Sequence, residues 1–318
     1  MLVTFPERAT QAETAEALRT HRWVDLIDPT AEEIERVEAA FGVELPSRES
    51  LVETEASSRL RADEGTLYLS APLIAGTEED QWRLAPTGFV LTGDWLITIR
   101  FAPLPAFEIV HQRIAEDDCA APQILTFILE ELVDRAADYL ERAAELLTET
   151  SSRIFVDESK KPKLGVETRR LRQAMVQLGR IADRMTRVRH SFATLGRIAI
   201  FVADRCEPRL DAALRDRLQA VRGDINSLDE FETSLTDRVQ FMLDAAAGFI
   251  SIAQNDVVKV LTVVSVAGVP PVLIVGIYGM NFHYMPELAW PWGYPFALAL
   301  VVISTILPVI WFKWRDWL

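Results

Sequence analysis

Between Val257 and Tyr278 the chain carries a single charge, Lys259, at the very start of the run. That length matches the roughly 20 apolar residues a helix needs to cross a hydrocarbon core of about 30 Å. A second run, Tyr294 to Phe312, holds no charge at all. In lipid, a backbone must satisfy its own hydrogen bonds, so each run is expected to be a helix and the pair a membrane hairpin. Pro270, Pro271 and Pro308 interrupt the runs. The first helix is therefore expected to pack against others or to line a cavity, where freed carbonyls find partners.

The flanks fit insertion. Trp290, Trp292 and Tyr294 stand at one end of the second run; Trp311, Trp314 and Trp317 stand at the other. Aromatic belts of this kind mark the membrane–water interfaces. Lys259, Lys313 and Arg315 fall on one side of the hairpin, and the bridge has no Lys or Arg. The positive-inside rule then puts both termini in the cytoplasm and the bridge outside. Residues 1–20 lack the apolar core of a signal peptide, so the remainder is expected to stay cytosolic.

Charge divides the chain in the same way. After Asn255, Lys259, Lys313 and Arg315 balance Asp256, Glu287 and Asp316, so the net charge of −14 belongs to residues 1–255. An acidic domain argues against nucleic-acid binding, which needs a basic footprint, and suits attraction of cations. Cys119 and Cys206 have no CxxC spacing and read as idle thiols in a reducing compartment. His21, His111, His190 and His283 are scattered, with no HExxH, GxSxG or P-loop, so an enzyme is not expected.

The N-terminal part reads as an α/β layer domain. Trp23 to Thr30 suggests a strand and turn, then a helix from Ala31 capped by Thr30 and Glu33 and closed by Gly42. Strands are expected over 58–60, 66–74, 88–91 and 95–100, with a further strand leading into a helix over 105–114. From Pro122 strand signals vanish. Helices are expected over about 122–155 and 167–204, with a solvated turn at Lys160–Gly165. The boundaries expected are 1–115 for the α/β domain, 116–205 for a helical hairpin, 206–256 for a stalk helix and 257–318 for the membrane hairpin.

Leu214, Val221, Leu228, Leu235, Met242 and Phe249 recur every seven residues. Leu218, Ile225, Val239, Ala246 and Ala253 form the companion position, with Glu232 the exception. This is a long helix with a coiled-coil-like seam that runs into the first span, a rod of about 100 Å. Oligomerisation is the expectation for such a rod. Glu230, Asp237 and Asp244 also recur every seven, on the side away from the seam. They read either as a solvated face or as acids around an axis. Asp244 stands close to three helical turns before Asn255, so both point the same way.

At the exit of the first span comes Tyr278-Gly279-Met280-Asn281. Met285-Pro286-Glu287-Leu288 and Trp292-Gly293-Tyr294-Pro295 follow, and the chain closes on the tail Lys313 to Leu318. These motifs resemble the CorA family of magnesium transporters, closely over 255–318 and more loosely upstream. The resemblance implies a funnel-shaped homopentamer in the inner (plasma) membrane. Each subunit would hold a cytosolic αβα domain, a stalk helix continuing as the pore-lining span, and an outer second span. It implies uptake of Mg²⁺, with Co²⁺ and Ni²⁺ also passing, closure by cytosolic Mg²⁺, and no organic cofactor.

Carried over by position, Gly279, Met280 and Asn281 would form an outer selectivity ring. Asn255, Thr262 and Gly276 match pore-facing family positions, and Val258, Val266, Val269 and Val272 take the intervening turns. Glu287 would add a negative field in the outer bridge. The chemistry suits the asparagine: Mg²⁺ holds six waters tightly and dehydrates reluctantly. A ring of amide oxygens can accept hydrogen bonds from that shell and still release the ion. A Zn²⁺ transporter of the same superfamily is the alternative; Met280, where such proteins more often have isoleucine, favours Mg²⁺.

Overall fold

The computed structural model describes residues 2–5, 15–53, 59–76, 83–114, 119–155, 164–206, 211–281, 283, 285–286 and 290–315. Two compact units emerge: Met1–Ser152 with Val176–Met242, and Arg153–Met175 with Leu243–Leu318.

The described strands of the first unit are β1 (Leu2–Phe5), β2 (Trp23–Ile27), β3 (Leu60–Asp63), β4 (Thr66–Ala75), β5 (Arg83–Leu91) and β6 (Leu96–Arg100). They form one mixed sheet in the order β1-β2-β6-β5-β4-β3. Only β2 and β6 run parallel; every other neighbouring pair is antiparallel. The helices are α1 (Ala15–Leu18), α2 (Ala31–Phe41), α3 (Arg48–Val52), α4 (Pro105–Ile114), α5 (Ala121–Ile154), α6 (Leu164–Arg205), α7 (Ala212–Tyr278) and α8 (Gly293–Trp314).

Alternation along the strands gives the sheet two buried faces. Val24, Leu26, Val90, Ile97 and Ile99 pack with Leu18, Val37, Ala40, Leu45 and Leu51 from the α1–α3 side. Each such side chain contributes about 1.5–3 kcal/mol when fully buried. Gly88 is what lets α3 approach: a Cβ there would sit 2.8 Å from Ile99 Cγ2 and 3.0 Å from both Leu51 Cδ2 and Pro46 Cγ. Thr30 and Glu33 form the expected capping box of α2, and Gly42 ends that helix at φ 68°, a left-handed conformation glycine adopts without strain.

The opposite face meets α4. Trp23 lies 6.1 Å from Phe107 and 4.0 Å from His111 between ring centres. Under α4 sits a fully buried ion pair. Arg100 Nη2 donates to Asp25 Oδ2 at 2.8 Å, and Arg100 Nε reaches the same carboxylate. Thr98 Oγ1 donates to Asp25 Oδ1 at 2.6 Å, and Trp23 Nε1 donates to Thr98 Oγ1 at 3.0 Å. Buried charge is tolerated here because its hydrogen bonds are satisfied.

His111 Nε2 is 3.7 Å from Asp25 Oδ2, yet the histidine stays neutral. Burial lowers its pKa to about 4; Glu108 opposes this and Arg100 adds to it. Between about pH 4 and 6.5 the unfolded chain therefore takes up a proton that the folded one refuses. Stability from this group is full above pH 6.5 and is lost as pH falls toward 4, on the order of 3 kcal/mol. His111→Phe should flatten that part of the stability–pH curve in thermal unfolding. Equal slopes for variant and wild type would contradict the assignment.

Residues 105–114 are helix throughout, not a strand leading into one. Pro105 occupies the first turn, and Phe107, Val110, His111 and Ile114 are buried at helical spacing. β5 begins at Arg83 rather than 88, and β1 adds an edge the sequence did not announce. The turn at Lys160–Lys163 lies outside the described residues, while Gly165 falls within α6. Much of the apolar seam of α7 is already covered within one chain: Leu218, Val221, Ile225, Leu235, Val239 and Met242 are at most 5 % exposed, whereas Phe249 is 37 % exposed. Its exception, Glu232, is buried too, accepting from Thr236 Oγ1 at 3.0 Å with Arg189 Nη1 at 3.7 Å. Most of the seam is therefore occupied by packing within the chain.

Candidate functional site

α7 is one helix from Ala212 to Tyr278 and passes through Pro270 and Pro271 without breaking. Its C-terminal stretch and α8 are both long and apolar enough to cross a membrane. The helix closes where Gly279 N–H donates to Val275 O at 2.9 Å and Met280 N–H donates to Ile277 O at 3.2 Å. A Cβ on residue 279 would lie 3.1 Å from Val275 O, so glycine is the residue that fits this closure most easily. Gly279, Met280 and Asn281 follow in sequence at the helix exit, all exposed. Glu287 lies outside the described residues.

Helical geometry brings the other candidates together. At about 100° per residue, Asp244, Asn255, Val258, Thr262, Val266, Val269, Val272 and Gly276 fall within an arc of about 120°. Ala246, Ala253 and Val263, all buried, lie outside that arc on the same helix. Exposure alone does not mark the arc: Val258 is 59 % and Val272 71 % exposed, but so are Leu261 at 64 % and Val264 at 63 %. Polarity does. Apart from Lys259 and Tyr278 at its two ends, the span's only polar side chains are Thr262 and Ser265. Both lie on the arc, as does Ser251 below it. Ser251 and Ser265 were not singled out from the sequence, although the same angular count would have found them. Thr262 Oγ1 donates to Val258 O at 2.8 Å, which satisfies a helix carbonyl and leaves the hydroxyl oxygen free to accept.

At the N-terminal end of the span, Lys259 Nζ pairs with Asp256 Oδ1 at 3.1 Å. Asp244 is exposed on the same arc as Asn255, and Glu230 and Asp237 of the first unit are exposed as well. Other acids crowd the first unit. The Asp134 carboxyl is pushed above its usual range, first by burial and then by Asp224, Glu130 and Asp138. Among the described residues, no three His, Cys, Asp or Glu side chains are grouped to hold a metal ion. At the two ends of α8, Trp290 meets Phe296 edge-on at 5.8 Å and Arg315 lies over Trp311 at 5.4 Å. Val302, Ile306, Ile310 and Trp314 line an open apolar strip.

Comparison with known proteins gives these features a context. The chain is 34% identical over 299 residues to the magnesium transport protein CorA of Pasteurella multocida (strain Pm70), covering 93% of this chain and 92% of that one. It is 32% identical over 311 residues to the magnesium transport protein CorA of Yersinia pseudotuberculosis serotype I (strain IP32953), covering 97% and 95%. In fold it is similar to the CorA magnesium transporter from Methanocaldococcus jannaschii, with a TM-score of 0.73 at 20% identity over 98% of this chain and 94% of that one. It is also similar to the full-length CmaX protein, with a TM-score of 0.67 at 16% identity over 99% and 93%. The profile of the CorA-like Mg²⁺ transporter proteins matches residues 19–314. With a profile match over nearly its whole length, the chain belongs to the CorA-like Mg²⁺ transporter protein family.

Proposed function

We propose that the chain carries Mg²⁺ across a membrane, driven by the membrane potential and selected in hydrated form at Asn281. The observation that carries this reading is the α7 arc: a long helix whose intramembrane hydroxyls share one face and whose exit is Gly279-Met280-Asn281. Relatives named as magnesium transport proteins, similar over most of their length, support the choice of ion. A single α7 cannot enclose a pore, so five copies surround an axis with the arcs facing inward. Both termini are cytoplasmic in this reading, and Co²⁺ and Ni²⁺ share the path. Residues 1–115 and 116–205 form the cytosolic part, 206–256 the stalk and 257–318 the membrane hairpin.

The energetics are permissive. A divalent ion gains about 4.6 kcal/mol on crossing 100 mV, so the protein need supply only recognition. Asn281 offers a neutral acceptor to the water shell, and Glu287 a diffuse attraction outside. Val258, Val266, Val269 and Val272 make the inner path apolar, a constriction that dewets when narrow. Cytosolic Mg²⁺ closes the path by screening acids that repel one another, as Asp134 and its neighbours do.

Expression in a Mg²⁺-requiring strain tests the reading: growth without added Mg²⁺ is expected. Altered zinc handling with no Mg²⁺ rescue would favour the zinc reading instead. The particle mass in mild detergent should be that of five chains. A monomer or dimer under those conditions would contradict the enclosed pore.

A further inference from the structure

Arg59, just ahead of β3, has its residue surface 6 % exposed, yet no described carboxylate pairs with it. Its Nε donates to Glu53 O at 2.9 Å, and its Nη1 donates to Thr194 Oγ1 at 3.3 Å. Nη1 is also 3.5 Å from His190 Nε2. All three partners are neutral groups or, for the histidine, a potential cation. Nη2 has no protein partner among the described residues. Buried arginines ordinarily sit on a carboxylate or a phosphate, because an unpaired buried charge is strongly disfavoured. The contrast with Arg100, which sits on Asp25 in the same unit, is direct.

The surroundings add positive charge rather than cancel it. His190, Thr194 and Arg197 are spaced four and three apart on α6, which places them along one face of that helix. Arg197 Nε donates to Ala193 O at 3.0 Å, which holds the base of its guanidinium along the helix. Burial and then Arg197 lower the Arg59 pKa. Burial, Arg59 and Arg197 lower that of His190 in turn. Two guanidinium groups and an imidazole thus lie together with no carboxylate paired to them among the described residues, in a chain whose net charge is −14. Arg59 is the buried member of the group, with His190 and Arg197 exposed at its rim.

We propose that Arg59, His190, Thr194 and Arg197 form a binding site for a phosphate-type anion, either free phosphate or the phosphoryl group of a small phosphorylated molecule. A tetrahedral oxyanion presents several acceptors at once. It can take donors from the Arg59 fork and from Arg197 while the Thr194 hydroxyl supplies a neutral one. Chloride offers no such directional set. The site is separate from the α7 arc and does not depend on which cation the protein carries.

The test uses the full-length protein in mild detergent, free of Mg²⁺, with thermal unfolding followed at fixed ionic strength. Inorganic phosphate and ADP are each titrated against chloride. A saturable rise in Tm is expected with at least one of them. Arg197→Gln and His190→Gln, both at exposed positions, should unfold like wild type in chloride and weaken the anion by roughly tenfold or more, as loss of a charged hydrogen bond does. Tighter binding of ADP than of phosphate would identify the phosphoryl group of a larger molecule as the ligand; the reverse order would identify the free anion. Arg59→Gln should abolish the response, but the two rim variants decide the matter even if it fails to fold. No saturable rise with either anion, or an unchanged rise in both rim variants, would overturn the site.

Discussion

Asn281→Leu is expected to remove nearly all Mg²⁺ uptake by cells while expression, membrane insertion and assembly stay at wild-type levels. Leucine keeps the approximate volume and deletes the only side-chain acceptor of the Gly279-Met280-Asn281 exit. The exposed position carries little folding energy, so stability should hardly change. What is lost is the set of amide oxygens proposed to meet the hydration shell. A hydrated divalent ion facing leucine must shed waters it holds tightly or stay out. Asn281→Asp separates acceptor from charge. It keeps an oxygen and adds up to five charges around the proposed ring, so divalents should bind more tightly and leave more slowly. Wild-type uptake by the leucine variant, at matched expression, would remove the asparagine from the selection step.

Asp25→Asn is expected to destabilise the first unit by about 3–5 kcal/mol, enough to deplete the folded protein. The substitution keeps the shape and the bond from Thr98 but leaves Arg100 charged and fully buried. Glu108 cannot compensate fully: its side chain is 59 % exposed and solvent weakens its pull. The double change Asp25→Leu with Arg100→Leu removes both charges and should recover much of the loss. Thermal unfolding of the three proteins would distinguish the cases. If Asp25→Asn melts within a degree or two of wild type, the pair is not holding α4 to the sheet.

The membrane helices were readable because nothing in their sequence competes with the apolar signal. α7 ends at Tyr278, where Gly279 stops it, and α8 spans Gly293–Trp314. The prolines of the spans misled only in degree: Pro270 and Pro271 lie inside α7 without ending it. The sheet was harder. Pro86 hid the first half of β5, since proline normally marks an edge or an end. It is tolerated because β6 pairs with β5 only from Thr87 onward, and its rung partner on β4 is Pro72, beyond the reach of β3. β4 and β5 thus project past their neighbours exactly where a missing N–H does no harm.

The heptad pattern was read correctly as a long helix. Periodicity shows that a face is buried but not by which chain, and here one chain buries most of it. The residues of the α7 arc were chosen by resemblance, and Ser251 and Ser265 share that arc by angle. Arg59 and the Asp25–Arg100 pair were not legible. Their meaning depends on partners 135 and 75 residues away in sequence, and no local pattern announces such a pairing.

The most direct test is Mg²⁺ flux into liposomes holding only the purified protein and an indicator of internal Mg²⁺, with a potential imposed negative inside. The account predicts influx that follows the potential, needs no other energy source and is lost with Asn281→Leu. No potential-driven Mg²⁺ influx from correctly inserted, assembled protein would contradict it.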